Sequence, residues 1–157
     1  MIVDSSPIIF LSKIGRLNLL NYLFKSLFIT SKVKEEVLVK DKVECRAIEE
    51  ALKKGWLKIR NPKNELKLEL GNGEQSAISL AYEIDDCVVL DDATATKAAN
   101  SIGLKTLRTT SIIFMAVEKK LINRKEAEDL INKLIKNGYY IKTEFYADIL
   151  MENTCLW

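Results

Sequence analysis

Met1-Ile2-Val3-Asp4-Ser5-Ser6-Pro7 is the stretch whose reading decides the fold. Three apolar residues without alternation predict a short strand buried on both faces. Ser5 and Ser6 can cap a helix, and Pro7 suits a first turn, where its missing N–H costs nothing. Asp4 is thereby placed at the carboxyl end of a buried strand. In an open parallel sheet that is the edge where ligands bind.

Working outward, Ile8 to Ile14 is apolar almost throughout and predicts a buried helix ended by Gly15, and Arg16 to Phe24 a second. Leu27 to Ile29 reads as a strand, after which Thr30 or Ser31 caps a helix containing Val33, Glu36 and Val37. Val43 to Lys54 predicts a helix closed by Gly55, and Trp56 to Arg60 alternates as an edge strand does. Asn61 to Asn72 is polar and reads as a flexible loop with one helical turn at Leu66 to Leu70. Gly73-Glu74 opens a helix with Ala77, Ile78, Leu80 and Ala81 on one face. Cys87 to Leu90 is a second unbroken apolar strand, ending in Asp91-Asp92. There follow a helix from Ala93 to Ser101, a weaker strand from Leu104 to Leu107, and helices over Ile112 to Lys120, Arg124 to Lys136 and Thr143 to Met151. Short strands alternating with helices predict an α/β fold with a mainly parallel sheet.

Composition narrows the chemistry. With 157 residues, 48% hydrophobic and 29% charged, the chain reads as one globular domain spanning 1–157. The net charge of +2, from 24 basic and 22 acidic residues, neither demands nor excludes a nucleic-acid partner. Asp4 interrupts any signal peptide, and Lys25 breaks the greasiest region, Leu17 to Thr30, so neither secretion nor a membrane span is expected. Cys45, Cys87 and Cys155 are odd in number, without C-x-x-C spacing, and read as core-filling reduced thiols of a cytoplasmic protein. Histidine is absent, which removes His-based triads and His-ligated zinc. Carboxylates, hydroxyls, lysine or an oxygen-bound metal must do any chemistry.

Asp4 and Asp91 each follow an apolar strand and precede a helix, so right-handed crossovers bring both to one sheet edge. Glu74, after the flexible Gly71-Asn72-Gly73 turn, and Glu36, early in the helix after a strand, can reach the same edge. Gathered carboxylates raise one another's pKa, and a divalent cation relieves this. Oxygen-only ligands suit Mg²⁺ or Mn²⁺. Each acid also has a structural reading: Asp4, Asp91, Asp92 and Glu74 as caps or helix-dipole partners, Glu36 as part of a solvated face, Ser6 as a cap. Acids after two buried strands, with histidine absent, favour the metal.

The pattern resembles PIN-domain proteins, in particular their short prokaryotic branch of VapC-like toxins. Ile2-Val3-Asp4-Ser5-Ser6-Pro7-Ile8-Ile9 is similar to that family's opening, Val33-Lys34-Glu35-Glu36-Val37 to its Val-x-x-Glu-Val, and Gly55-Trp56 to its Gly-Trp. Gly71-Asn72-Gly73-Glu74-Gln75-Ser76-Ala77-Ile78, Val88-Val89-Leu90-Asp91-Asp92 and Asn137-Gly138-Tyr139-Tyr140-Ile141 complete the order. The resemblance implies a three-layer α/β/α sandwich and an acidic centre of Asp4, Glu36, Glu74 and Asp91, with Asp92 the alternative to Asp91 as a metal ligand. It further implies Mg²⁺- or Mn²⁺-dependent cleavage of single-stranded RNA by an activated water, a homodimer, and a small antitoxin that blocks the site.

The chain departs from the pattern at two places. The family's Ala-Arg after the second acidic strand is Ala95-Thr96 here, followed by Lys97, and its Gly-Thr-x-Gly is Arg108-Thr109-Thr110-Ser111. Lys97 or Arg108 can replace the missing charge as a substrate contact, beside Ser6. These departures motivate a second expectation, a non-catalytic PIN-like module that binds RNA or protein. A third is a phosphatase or phosphate-binding switch using Asp91.

Overall fold

The computed structural model describes residues 1–38 and 43–141. Five parallel strands form the sheet: β1 (Ile2–Val3), β2 (Leu27–Ile29), β3 (Leu57–Ile59), β4 (Val88–Val89) and β5 (Thr106–Leu107), in the order β3-β2-β1-β4-β5. Every pairing is parallel, so the expectation of a mainly parallel sheet sharpens to a wholly parallel one. The two unbroken apolar runs became the central pair, with Ile2 opposite Val88 and Val3 opposite Val89, all four fully buried. The alternating run became an edge strand, β3, with Lys58 exposed.

Helices α1 (Ser5–Lys13), α2 (Asn18–Leu23), α3 (Ser31–Val37) and α4 (Val43–Lys53) connect β1, β2 and β3. Helices α5 (Asn72–Ile84) and α6 (Ala93–Ser101) lead into β4 and β5. The chain steps one way across the sheet from β1 to β3 and the other way from β3 to β5. Helix α1 packs on α3 and α4, while α5 packs on α3, α6, β1 and β4. Helix α7 (Thr109–Glu118) returns to pack on α1 and α2, and α8 (Arg124–Lys136) packs on α7. The strand order reverses between β1 and β4. A crevice at the carboxyl ends of that pair follows from the topology alone.

Local signals and structure agree at several ends. The side chain of Thr30 accepts the Val33 N–H at 3.3 Å and caps α3. Asn123 caps α8, and Gly138, at φ 88°, takes the left-handed turn beyond it. Elsewhere the reading is corrected. Asn61 to Asn72 contains no helical turn at Leu66 to Leu70. Its backbone is drawn onto α5 instead: Leu66 N–H donates to Ser79 Oγ at 2.9 Å and Leu68 N–H to Gln75 Oε1 at 3.1 Å. Leu66, Leu68 and Leu70 are half-buried at every second position, as in an extended strap. The loop is thus fastened along α5, not loose. Helix α7 starts at Thr109, not Ile112, and the thiols of Cys45 and Cys87 are half-buried, not core. Cys155 and the helix expected over Thr143 to Met151 lie outside the described residues.

Candidate active site

Asp4 stands one residue past β1, its N–H donating to the Val89 carbonyl at 3.1 Å. It occupies the N-cap position of α1 but makes no capping bond. The side chain is 2% exposed, and its Oδ1 is buried without a hydrogen-bond partner. A buried acceptor left unpaired is costly and marks a place where a ligand, ion or proton belongs. Burial raises the Asp4 pKa to about 7; the Ser5 N–H opposes this, and the negative charges of Glu74, Glu36 and Asp91 add to it. Three acids from three other segments are therefore electrostatic neighbours of Asp4.

Glu36 arrives from α3 and accepts the Gly73 N–H on Oε1 at 3.0 Å. Gly73 has to be glycine for this: a Cβ there would lie 2.5 Å from Glu36 Oε1. Glu74, in the first turn of α5, reaches back to accept the Gly71 N–H at 3.2 Å. Its pKa is raised by burial, against the Gly71 N–H, and further by the charges of Asp92 and Glu36.

Asp91 and Asp92, inseparable in sequence, part ways in space. Asp92 is the N-cap of α6, its Oδ1 accepting the Thr94 and Ala95 N–H groups at 2.7 and 2.8 Å. Asp91 turns towards α7 and the segment after α8. Its Oδ1 accepts the Thr109 N–H at 2.9 Å and the Tyr139 hydroxyl at 2.7 Å, and its Oδ2 accepts the Thr109 hydroxyl at 2.7 Å. Arg108 Nη2 donates to the Asp91 carbonyl at 2.9 Å. Burial and then the Asp91 charge push the Tyr139 phenol well above its ordinary range.

The fold thus gathers Asp4, Glu36, Glu74 and Asp91, with Asp92 beside Glu74 and Arg108 at the rim. Ser6 is half-buried in the first turn of α1. Lys97 is exposed on α6 and forms no ion pair with these acids among the described residues. Thr109 and Tyr139 are the residues that sequence reasoning missed. Thr109 reads as a helix cap, and Tyr139 has no local pattern that points to an acid 48 residues away.

The donor set is all oxygen, which suits a hard cation. Among the described residues, no three His, Cys, Asp or Glu side chains are close enough to hold an ion jointly. A cation that keeps most of its waters and takes one or two carboxylates directly, as Mg²⁺ does, needs no such cluster. Asp4, with its orphaned Oδ1, would be the direct ligand, and Glu36, Glu74 and Asp91 would hold the hydration shell.

Acids gathered where the strand order of a parallel α/β sheet reverses mark the class. The chain belongs to the family DUF3368, a PIN domain, whose model matches residues 1–154. Among solved structures it is similar to a PilT N-terminus domain protein from the hyperthermophilic archaeon Sulfolobus solfataricus P2, with a TM-score of 0.53 and 18% identity over 75% of this chain and 95% of that one. At that identity the likeness is one of fold. No curated protein matches the chain. Among the described residues, no helix is long and apolar enough to cross a membrane.

Proposed function

We propose that this PIN domain is a Mg²⁺- or Mn²⁺-dependent endoribonuclease and the toxin of a toxin–antitoxin pair. The observation that carries the nuclease reading is the buried, unpartnered Oδ1 of Asp4 amid three further acids at the crevice. Bound there, the cation would supply charge for the phosphoryl oxygens and lower the pKa of a water. Asp4 would hold the ion, Glu36 and Glu74 would orient waters, and Asp91 would fix the far side of the crevice. Hydrolysis forms the bond from water oxygen to phosphorus as the P–O bond to the leaving nucleoside breaks; Glu36 or Glu74 would take the water's proton, and the leaving oxygen would take one from solvent. Arg108 has donors left over from the Asp91 carbonyl and can hold a phosphate at the rim. Lys97 and Ser6 are lesser candidates for the same task. The toxin role, and with it the antitoxin, the homodimer and a cytoplasmic setting, rests on the sequence resemblance.

The test is cleavage of single-stranded RNA with Mg²⁺ or Mn²⁺. Wild type should cut, EDTA should abolish cutting, and Asp4→Asn should lower kcat/KM by at least about a hundredfold, an electrostatic loss on the scale of other charge-stabilising groups. Cleavage that survives both EDTA and the substitution would remove the mechanism. One observation favours the rival reading of a non-catalytic binding module: no three acids are close enough to enclose an ion. RNA binding without metal-dependent turnover decides for that rival. For the toxin role, co-expression with the product of an adjoining small reading frame should yield a stable complex with suppressed cleavage.

A further inference from the structure

We infer that Tyr139 is a positioning residue of the acidic crevice, its hydroxyl holding the Asp91 carboxylate while its ring is locked against the helix that begins beside Asp4. The inference rests on the reading of this edge as a cation site. It adds a residue that lies outside the four acids and 48 positions from the one it holds.

Tyr139 is fixed at three places. Gly138 turns the chain out of α8 at φ 88°, and the Tyr139 N–H then donates to the Leu134 carbonyl at 3.0 Å. The ring meets Phe10 of α1 edge-on, with centroids 5.0 Å apart and planes at 89°. Such a contact contributes orientation as well as burial. The hydroxyl ends on Asp91 Oδ1 at 2.7 Å, a charge-assisted bond of short length. The residue is 5% exposed, which limits competition from water for that bond.

The consequence is found by counting lone pairs. A carboxylate offers about four acceptor directions. On Asp91, Oδ1 accepts two donors and Oδ2 accepts one. One direction remains, on Oδ2. Tyr139 and Thr109 therefore fix the rotamer of Asp91 and decide which oxygen faces a cation or its water. Phe10 lies on the helix for which Asp4 is the N-cap residue, so Tyr139 also ties the Asp91 segment to the Asp4 segment. Without the hydroxyl, Oδ1 regains a free direction and the carboxylate is held by Thr109 alone. Partners of this kind change metal affinity or activity by about 10- to 100-fold when removed.

The experiment compares wild type, Tyr139→Phe, Asp91→Asn and the double variant of the full chain. Phe keeps the ring against Phe10 and removes only the donor. In a Mn²⁺ titration followed by the spin-resonance signal of free Mn²⁺, Tyr139→Phe should weaken binding about tenfold. In the Asp91→Asn background it should add nothing, because its effect passes through Asp91. Equal weakening in both backgrounds, or none in either, overturns the inference. A second readout needs no metal. The near-UV band of Tyr139, obtained by difference from Tyr139→Phe, should shift to shorter wavelength in Asp91→Asn, as the phenol loses a charged acceptor. An unmoved band overturns the inference whether or not Mn²⁺ binds. If Tyr139→Phe unfolds, Thr109→Val, which removes the Oδ2 donor, should show the same dependence on Asp91; its independence would count against the clamp. Failure of wild type to cut RNA while both readouts behave as expected removes the nuclease proposal and leaves the clamp standing.

Discussion

At the residue scale the crevice is built on unequal carboxylates. Asp4 is buried with one oxygen unpaired, Asp91 accepts three donors, and Glu36 and Glu74 each accept one backbone N–H. Two expectations follow. The folded chain holds the Asp4 proton up to about pH 7, whereas an unfolded aspartate loses it near its ordinary 3.8. Between those values the native state binds more protons than the unfolded one, so the stability of metal-free protein falls as pH rises through that window. The loss is at most about 4 kcal/mol. In EDTA at alkaline pH, Asp4→Asn should therefore melt higher than wild type, and the two should converge near pH 4. Denaturant melts across the pH range read this directly. The second concerns Gly73, whose missing Cβ leaves room for Glu36. In Gly73→Ala the atom that must move is the end of a flexible side chain, so the fold should survive within about 1 kcal/mol. Glu36 should be displaced all the same, and RNA cleavage should drop by about a hundredfold, as a small misplacement in an assembled site can cost. A fully active Gly73→Ala would show that Glu36 is not needed where it stands.

At the element scale, adjacent residues were given to different tasks. Asp92 ends a turn and starts α6; Asp91 turns back towards α7. Asp92→Ala should cost the cap of α6, about 1 kcal/mol in a chemical melt, with cleavage reduced less than by Asp91→Asn. An Asp92→Ala that keeps full stability but loses all cleavage would exchange the two roles. The strap from Leu66 to Leu70 makes the same point for a longer segment. Leu66 and Leu70, four apart in a polar run, are compatible with a helical turn, yet α5 offers Ser79 and Gln75 as partners, and the Leu66 and Leu68 N–H groups go to them. Partners supplied by another element outweigh a weak local preference.

At the scale of the whole molecule, four segments separated by long stretches of chain carry charge to one edge, and that concentration of charge opposes folding until it is neutralised. A bound cation should therefore stabilise the protein by mass action, by about 2.7 kcal/mol at a hundred times its dissociation constant. The melting temperature of wild type should climb with Mg²⁺ or Mn²⁺ concentration, and that of Asp4→Asn should stay nearly flat. Calorimetry across a metal titration checks both. An Asp4→Asn melt that rises in parallel with wild type would place the cation elsewhere.

The parallel α/β class, the central place of β1 and β4, the edge place of β3 and the candidate acids were legible in the order of residues. Each depends on a local quantity: an apolar run, an alternation, a glycine at a helix end, an acid directly after a strand. Tertiary structure alone separated Asp91 from Asp92, drew Leu66 to Leu70 onto α5, and brought Thr109 and Tyr139 onto one carboxylate. Those outcomes depend on which donors reach a given oxygen once the helices are packed. A hydrogen bond between residues 48 apart, as from Tyr139 to Asp91, is set by the path of the chain through space and leaves no periodic mark along it.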